Sequence, residues 1–279
     1  MKGWIALDID GTITVDKFLI PPPVVSYLES LQEMGWKIVL VTGRPLAYTE
    51  EALKPFGFPF FLICQNGSVA FQMPKSSFLF KNYLAPDLIQ EVEKAFHGLT
   101  GDLLVYAGFE RGDVCFYRPE FFNKKDCEYI KDLKTRQKEK WVEVKNFDAS
   151  TVGFVPLIKC FGPKEKMSII SNRLLSHDVF EIAQIKDPQY EGTEILLITA
   201  KGVTKGSSLE RLLEEKGKDG IVIAAGDDLN DVSLFQVADR KIAMPHAPKI
   251  LLEMANRIAP PTEKMGIIQA LQEEISNES

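Results

Sequence analysis

Trp4-Ile5-Ala6-Leu7-Asp8-Ile9-Asp10-Gly11-Thr12 is the stretch that decides the fold. Four apolar residues followed at once by two carboxylates and a glycine read as a buried strand that stops in a functional loop. The prolines Pro21, Pro22 and Pro23 then lead into Val24, Val25, Leu28, Leu31 and Met34, apolar at helical intervals, with Gly35 placed to end the helix. Lys37-Ile38-Val39-Leu40-Val41 reads as a second buried strand, closed by the turn Thr42-Gly43-Arg44-Pro45. Strand, helix and strand in this order predict a βαβ unit and a parallel sheet, hence an α/β fold.

Outward from this unit the alternation continues with a predicted helix over 46–56 and a strand over 60–64, before the turn signal Asn66-Gly67. From about Tyr83 the pattern changes. Predicted strands over 103–107 and 114–117 are joined at Gly112-Asp113, with helices over 86–96, 124–138 and 164–175 and further strands near 152–161, 179–185 and 194–197. Strand pairs with helices between them suggest an α+β insert. After Gly202 the βα order returns, with a helix over 207–216 and the apolar strand Ile221-Val222-Ile223-Ala224-Ala225. A short strand near 241–244 and helices over 248–256 and 265–275 close the chain. The expected organisation is a discontinuous core, residues 1–82 and 194–279, interrupted by a cap domain over 83–193.

The totals set limits on partners. In 279 residues, 45 % hydrophobic and 26 % charged, the composition is that of a folded globular protein and not of a disordered or fibrous one. With 33 Lys+Arg against 39 Asp+Glu the net charge is -6, which disfavours general attraction to nucleic acid or an anionic membrane. The apolar run 58–64 is far short of a membrane span, and Asp8 interrupts the N-terminal apolar stretch too early for a signal peptide. A cytoplasmic location is the expectation. Cys64, Cys115, Cys127 and Cys160 show no metal-binding spacing and read as reduced thiols, and His97 and His177 read as surface residues.

Four polar clusters fall just after a predicted strand or at a helix start, where open α/β sheets place their ligands. Asp8 and Asp10, two residues apart at a strand end with Gly11 turning the backbone away, suit a nucleophile with a separate acid/base, or a hard-cation site. Thr42-Gly43-Arg44 offers a hydroxyl and free amides, an anion pocket or a plain turn. Lys205-Gly206 puts a cation at a helix N-terminus, which makes sense beside a bound anion; otherwise it is an exposed surface lysine. Gly226-Asp227-Asp228-Leu229-Asn230-Asp231 crowds acids that repel one another without a cation, and magnesium is the economical partner. Each of the two acidic motifs alone arises by chance in roughly 0.2 % of such chains. Their joint occurrence in this order is on the order of a few in a million, so the clusters are read together.

In that order, with Gln65-Asn66-Gly67 after the third strand, these motifs resemble the haloacid dehalogenase (HAD) superfamily of phosphatases, specifically its Cof-type branch with a large α/β cap. The resemblance implies a three-layer, Rossmann-like core with an inserted cap and a magnesium-dependent phosphomonoesterase acting on a small phosphate ester, a sugar phosphate above all. It implies that Asp8 attacks phosphorus and Asp10 is the acid/base. Magnesium would be held by Asp8, the Asp10 carbonyl and Asp227, with Asn230 and Asp231 orienting that shell. Thr42, Gly43 and Lys205 would bind the phosphoryl oxygens, and Arg44 and Asn230 are candidate substrate contacts. The protein would act as a monomer or homodimer. One departure stands out: Pro245-His246-Ala247 occupies the place of the Gly-Asn-Ala often found in the family, so His246 either alters leaving-group contacts or, the preferred reading, is a plain loop residue. Rival readings are a glycosyl-phosphate phosphatase of the sucrose-phosphate or mannosylphosphoglycerate type, a phosphomannomutase-like transferase, and a catalytically idle binding protein. The mutase version of the last acidic motif is glycine-rich, unlike this one.

Overall fold

The computed structural model describes residues 2–16, 18–136, 140–187 and 190–276. In chain order the strands are β1 (Gly3–Asp8), β2 (Trp36–Val41), β3 (Phe60–Cys64), β4 (Val69–Met73), β5 (Ser77–Lys81), β6 (Leu104–Tyr106), β7 (Cys115–Tyr117), β8 (Trp141–Glu143), β9 (Leu157–Gly162), β10 (Phe180–Lys186), β11 (Glu194–Ala200), β12 (Ile221–Gly226), β13 (Arg240–Ala243) and β14 (Arg257–Ile258). They form two sheets within two compact units, one of residues 1–44, 49–81 and 204–279 and the other of residues 45–48 and 82–203.

In the first unit the strand order is β14-β13-β12-β1-β2-β3-β4-β5, parallel from β14 to β3, with β4 and β5 added as an antiparallel hairpin. β1 is central, and every one of its residues is buried, as expected where helices cover both faces of a parallel strand. Successive side chains point to opposite faces. Trp4 and Ala6 pack with Leu209, Leu212 and Leu213 of the helix Lys205–Lys216 and with Leu234 and Phe235. Ile5 and Leu7 are equally buried on the other face. The helix Pro22–Glu33, whose buried stripe is Val24, Val25, Leu28 and Leu31, packs on β2 and on the helix Gly266–Ser276. The result is a three-layer α/β arrangement in which the loops after β1, β2, β3 and β12 leave the same carboxyl edge of the sheet.

In the second unit the order is β10-β11-β9-β6-β7-β8, antiparallel except for the β7–β8 pair. Both faces carry cores. Leu196 and Ile198 join Val105, Ile158, Met167 and Ile170, whereas Ile195 and Leu197 join Leu104, Tyr129, Ile130 and Phe161. This corrects the boundary expected at residue 193, because β11 pairs with β9 and β10 of this sheet. The reason is physical: β11 is apolar toward both faces, so it reads like a strand of the parallel core. Asp102, nearly fully buried, receives two hydrogen bonds from Arg118, Nε at 2.7 Å and Nη2 at 2.8 Å, and Arg118 also reaches Glu93 at 2.5 Å. The helix expected over 124–138 is Lys124–Arg136, and its expected last two residues lie outside the described residues. All four cysteines are free thiols, Cys127 exposed and the others buried. Among the described residues no helix is long and apolar enough to cross a membrane.

Candidate active site

The side chains singled out in the sequence gather at the carboxyl edge of the parallel sheet, within the first unit. Asp8 is the last residue of β1, so its backbone is held by the sheet while its carboxylate leaves the strand end. Lys205 opens the helix Lys205–Lys216, whose first turn is fixed by a capping box between Thr204 and Ser207. Its Nζ lies 2.5 Å from Asp8 Oδ1 and 2.6 Å from Asp231 Oδ1. Lys205 is only 1 % exposed, which removes the surface-lysine alternative: the unfavourable cation at a helix N-terminus is compensated by two carboxylates. Asp231 has no free oxygen, since Oδ2 accepts the backbone N–H groups of Asp227 at 2.9 Å and Asp228 at 3.1 Å. It locks the loop after β12 to Lys205. Gly226 permits this approach, for a Cβ there would stand 2.5 Å from the Asp231 Cβ.

Asp227 is the meeting point of three loops. Its Oδ1 accepts from Thr12 Oγ1 at 3.4 Å, and its Oδ2 lies 3.1 Å from His246 Nε2. Gly11 makes room for it: at φ +78° a Cβ would sit 2.2 Å from Asp227 Oδ2. His246, expected to be a plain loop residue, is thus a partner of an acidic side chain of the site, placed there by the turn after β13. Asn230 donates its amide to Asn66 Oδ1 at 3.1 Å. Asn66 is held by its own N–H on the Thr42 carbonyl and by a left-handed φ of +57°. Thr42, buried at the end of β2, accepts the Arg44 N–H on its Oγ1 at 3.1 Å. Arg44, a candidate substrate contact from sequence, turns its guanidinium to Asp10, Nε to Oδ2 at 2.7 Å and Nη2 to Oδ1 at 2.5 Å.

The electrostatics are those of a carboxylate cluster short of positive charge. Burial pushes the Asp8 carboxyl well above the usual carboxylate range; Lys205 opposes this, and Asp231, Asp227 and Asp10 add to it. Burial would drive the Lys205 ammonium neutral, but Asp231 and Asp8 outweigh it and raise its pKa. Asp227 is raised by burial and by Asp231, against the lowering effect of His246. One ammonium among Asp8, Asp227 and Asp231, whose nearest oxygens all lie within 4.8 Å of one another, leaves a net negative centre of hard oxygen donors. That donor set fits a small divalent cation such as magnesium.

A family model of haloacid dehalogenase-like hydrolases matches residues 5–271. Similar to the chain is the phosphoglycolate phosphatase of Methanococcoides burtonii, 23 % identical over 277 residues, covering 98 % of this chain and 96 % of that protein. A solved haloacid dehalogenase-like hydrolase from Bacteroides thetaiotaomicron matches with a TM-score of 0.76 at 23 % identity, over 98 % of this chain and 99 % of the other. A solved sugar phosphatase of HAD subclass IIB matches with a TM-score of 0.76 at 21 % identity, over 98 % of both chains. These structural likenesses extend through both units and show the fold.

Proposed function

The chain belongs to the haloacid dehalogenase-like hydrolases, and from that premise we propose that it is a magnesium-dependent phosphomonoesterase that hydrolyses a small sugar phosphate through an aspartyl-phosphate. The observation that carries the reading is Asp8: a carboxylate at the end of the central strand, bonded to a buried lysine, with Asp227 beside it. The relatives named as phosphatases support the reaction class, and the sugar phosphatase among the structures supports the substrate class.

In the first step Asp8 forms a bond to phosphorus as the bond from phosphorus to the ester oxygen breaks. The electron pair goes to that oxygen, which takes a proton from Asp10. In the second, Asp10 takes a proton from water, whose oxygen bonds to phosphorus and expels the Asp8 carboxylate. Lys205, the Thr42 hydroxyl and the Gly43 amide bind the phosphoryl oxygens as charge shifts among them. Asp8, Asp227 and the Asp10 carbonyl would hold magnesium, with Asp231 fixing the loop that carries Asp227. When bound, the metal supplies the positive charge that screens carboxylate from phosphate.

The test is the Asp8→Asn variant together with metal removal. Asp8→Asn should lose turnover of a phosphate monoester at least a thousand-fold with an unchanged circular dichroism spectrum, and ordinary activity in that variant would overturn the nucleophile. Chelator should abolish wild-type turnover and added magnesium restore it. A panel of phosphorylated metabolites then identifies the substrate.

A further inference from the structure

Asp10 projects from the loop after β1, and its side chain is 46 % exposed. Among the described residues, Arg44 is the hydrogen-bond partner of that carboxylate, and it engages both oxygens at once. Arg44 is a rigid support. It is 5 % exposed, its N–H is held by Thr42 Oγ1 and its carbonyl accepts the Gln65 N–H at 2.9 Å. We propose that Arg44 is the positioning residue of Asp10: its planar fork fixes the plane of an otherwise free carboxylate so that the acid faces the leaving oxygen.

The physical argument rests on the fork. A guanidinium bonded through Nε and Nη2 matches both carboxylate oxygens in one plane, whereas an ammonium is a point charge that leaves the carboxylate free to turn. A carboxylate has about four lone-pair positions. Arg44 occupies one on each oxygen and leaves the outward positions on the exposed side, where a proton is passed to or taken from substrate and water. Without the fork an exposed Asp10 samples several rotamers, and proton transfer is lost whenever it points away.

This inference rests on the phosphomonoesterase reading, and it has a signature of its own. General acid help matters for an alkyl leaving group, which departs as a strongly basic alkoxide unless protonated, and little for nitrophenolate, which is a weak base. The experiment measures kcat/KM of the magnesium-loaded protein on glycerol phosphate and on p-nitrophenyl phosphate for wild type, Arg44→Gln and Arg44→Lys, with melting curves for each. Both variants should lose about 100-fold or more on the alkyl ester, the scale of general acid–base catalysis, and less than about tenfold on the nitrophenyl ester. Arg44→Lys, which keeps the charge, must show the same selectivity, and Arg44→Gln must add nothing in an Asp10→Asn background. Equal losses on the two esters, or additive losses with Asp10→Asn, would overturn the positioning role while leaving the phosphatase reading intact. If wild type cleaves neither ester nor any phosphorylated metabolite of the panel, that reading fails and takes this one with it.

Discussion

Lys205 Nζ stands 2.5 Å from Asp8 Oδ1 although the two residues are 197 positions apart, and both side chains are buried. The pair is also tied to Asp231, so one ammonium is shared between two buried carboxylates. Removing one member of a buried ion pair costs about 3–5 kcal/mol, because the remaining charge is stranded. In metal-free buffer Lys205→Met should lose stability on that scale in urea unfolding, and should also lose phosphatase activity. A midpoint equal to wild type would mean that the cluster is solvated in solution.

Asp228 gives a pH prediction. Burial raises its carboxyl to about 6, the Leu229 N–H pulls it back in part, and Asp227 and Asp231 raise it further. An unfolded aspartate loses its proton near pH 4. Between about pH 4 and pH 6 the folded protein holds the extra proton, so stability falls as pH rises through that window, and the cost is complete above it. Asp228→Asn should be more stable than wild type by about 1–3 kcal/mol at pH 7 in metal-free buffer, with the difference vanishing at pH 4. Parallel unfolding curves of the two proteins across this range would contradict the burial of that charge.

His246 is 54 % exposed at its side chain and is held charged to higher pH than usual by its hydrogen bond to Asp227, with Glu263 and Asp228 adding to the effect. A cation at Asp227 competes with a second one. Magnesium binding measured by calorimetry should tighten as pH rises from 6 to 8, with proton release. In His246→Ala the affinity at pH 6 should be higher than in wild type by a factor of about three to ten. A weaker affinity in the variant would mean that His246 orients Asp227 and does not compete for it.

In the second unit, Arg118→Met strands Asp102 in the interior, since Arg118 supplies its two side-chain hydrogen bonds. The expected loss is about 3–5 kcal/mol, read as a lower melting temperature, and pairing the change with Asp102→Leu should recover most of it. A single variant as stable as the double would show that the buried pair contributes nothing.

What the sequence discloses is local. Apolar runs that stop at acids, hydroxyls or glycine mark β1, β2 and β12, because a strand end at a sheet's carboxyl edge needs no partner to be recognised. What it conceals depends on distant chain. β11 carries apolar residues toward both faces, so no alternation tells which sheet it enters. Three-residue β8 and two-residue β14 are too short to have a period. The partner of Arg44 lies 34 residues back and that of His246 lies 19 back, and neither distance leaves a mark in the residues between. Asn66, met in the sequence as a turn signal and within Gln65-Asn66-Gly67 but given no role of its own, is placed beside Asn230 by a backbone conformation that Asn tolerates better than most residues.

The pairing of β1 with β12 joins Gly3 to Ile221 and Leu7 to Ala225. At about 5–20 residues per second a ribosome needs about 10–40 s to make the chain between these partners. During that interval the first strand has emerged with one edge open, and the whole antiparallel sheet is synthesised before the strand that closes it. The inserted unit is positioned to fold first, and the carboxylate at the end of β1 acquires its lysine only when synthesis is three-quarters done. A nascent chain halted before β12 would expose an apolar strand edge, a natural client for a chaperone.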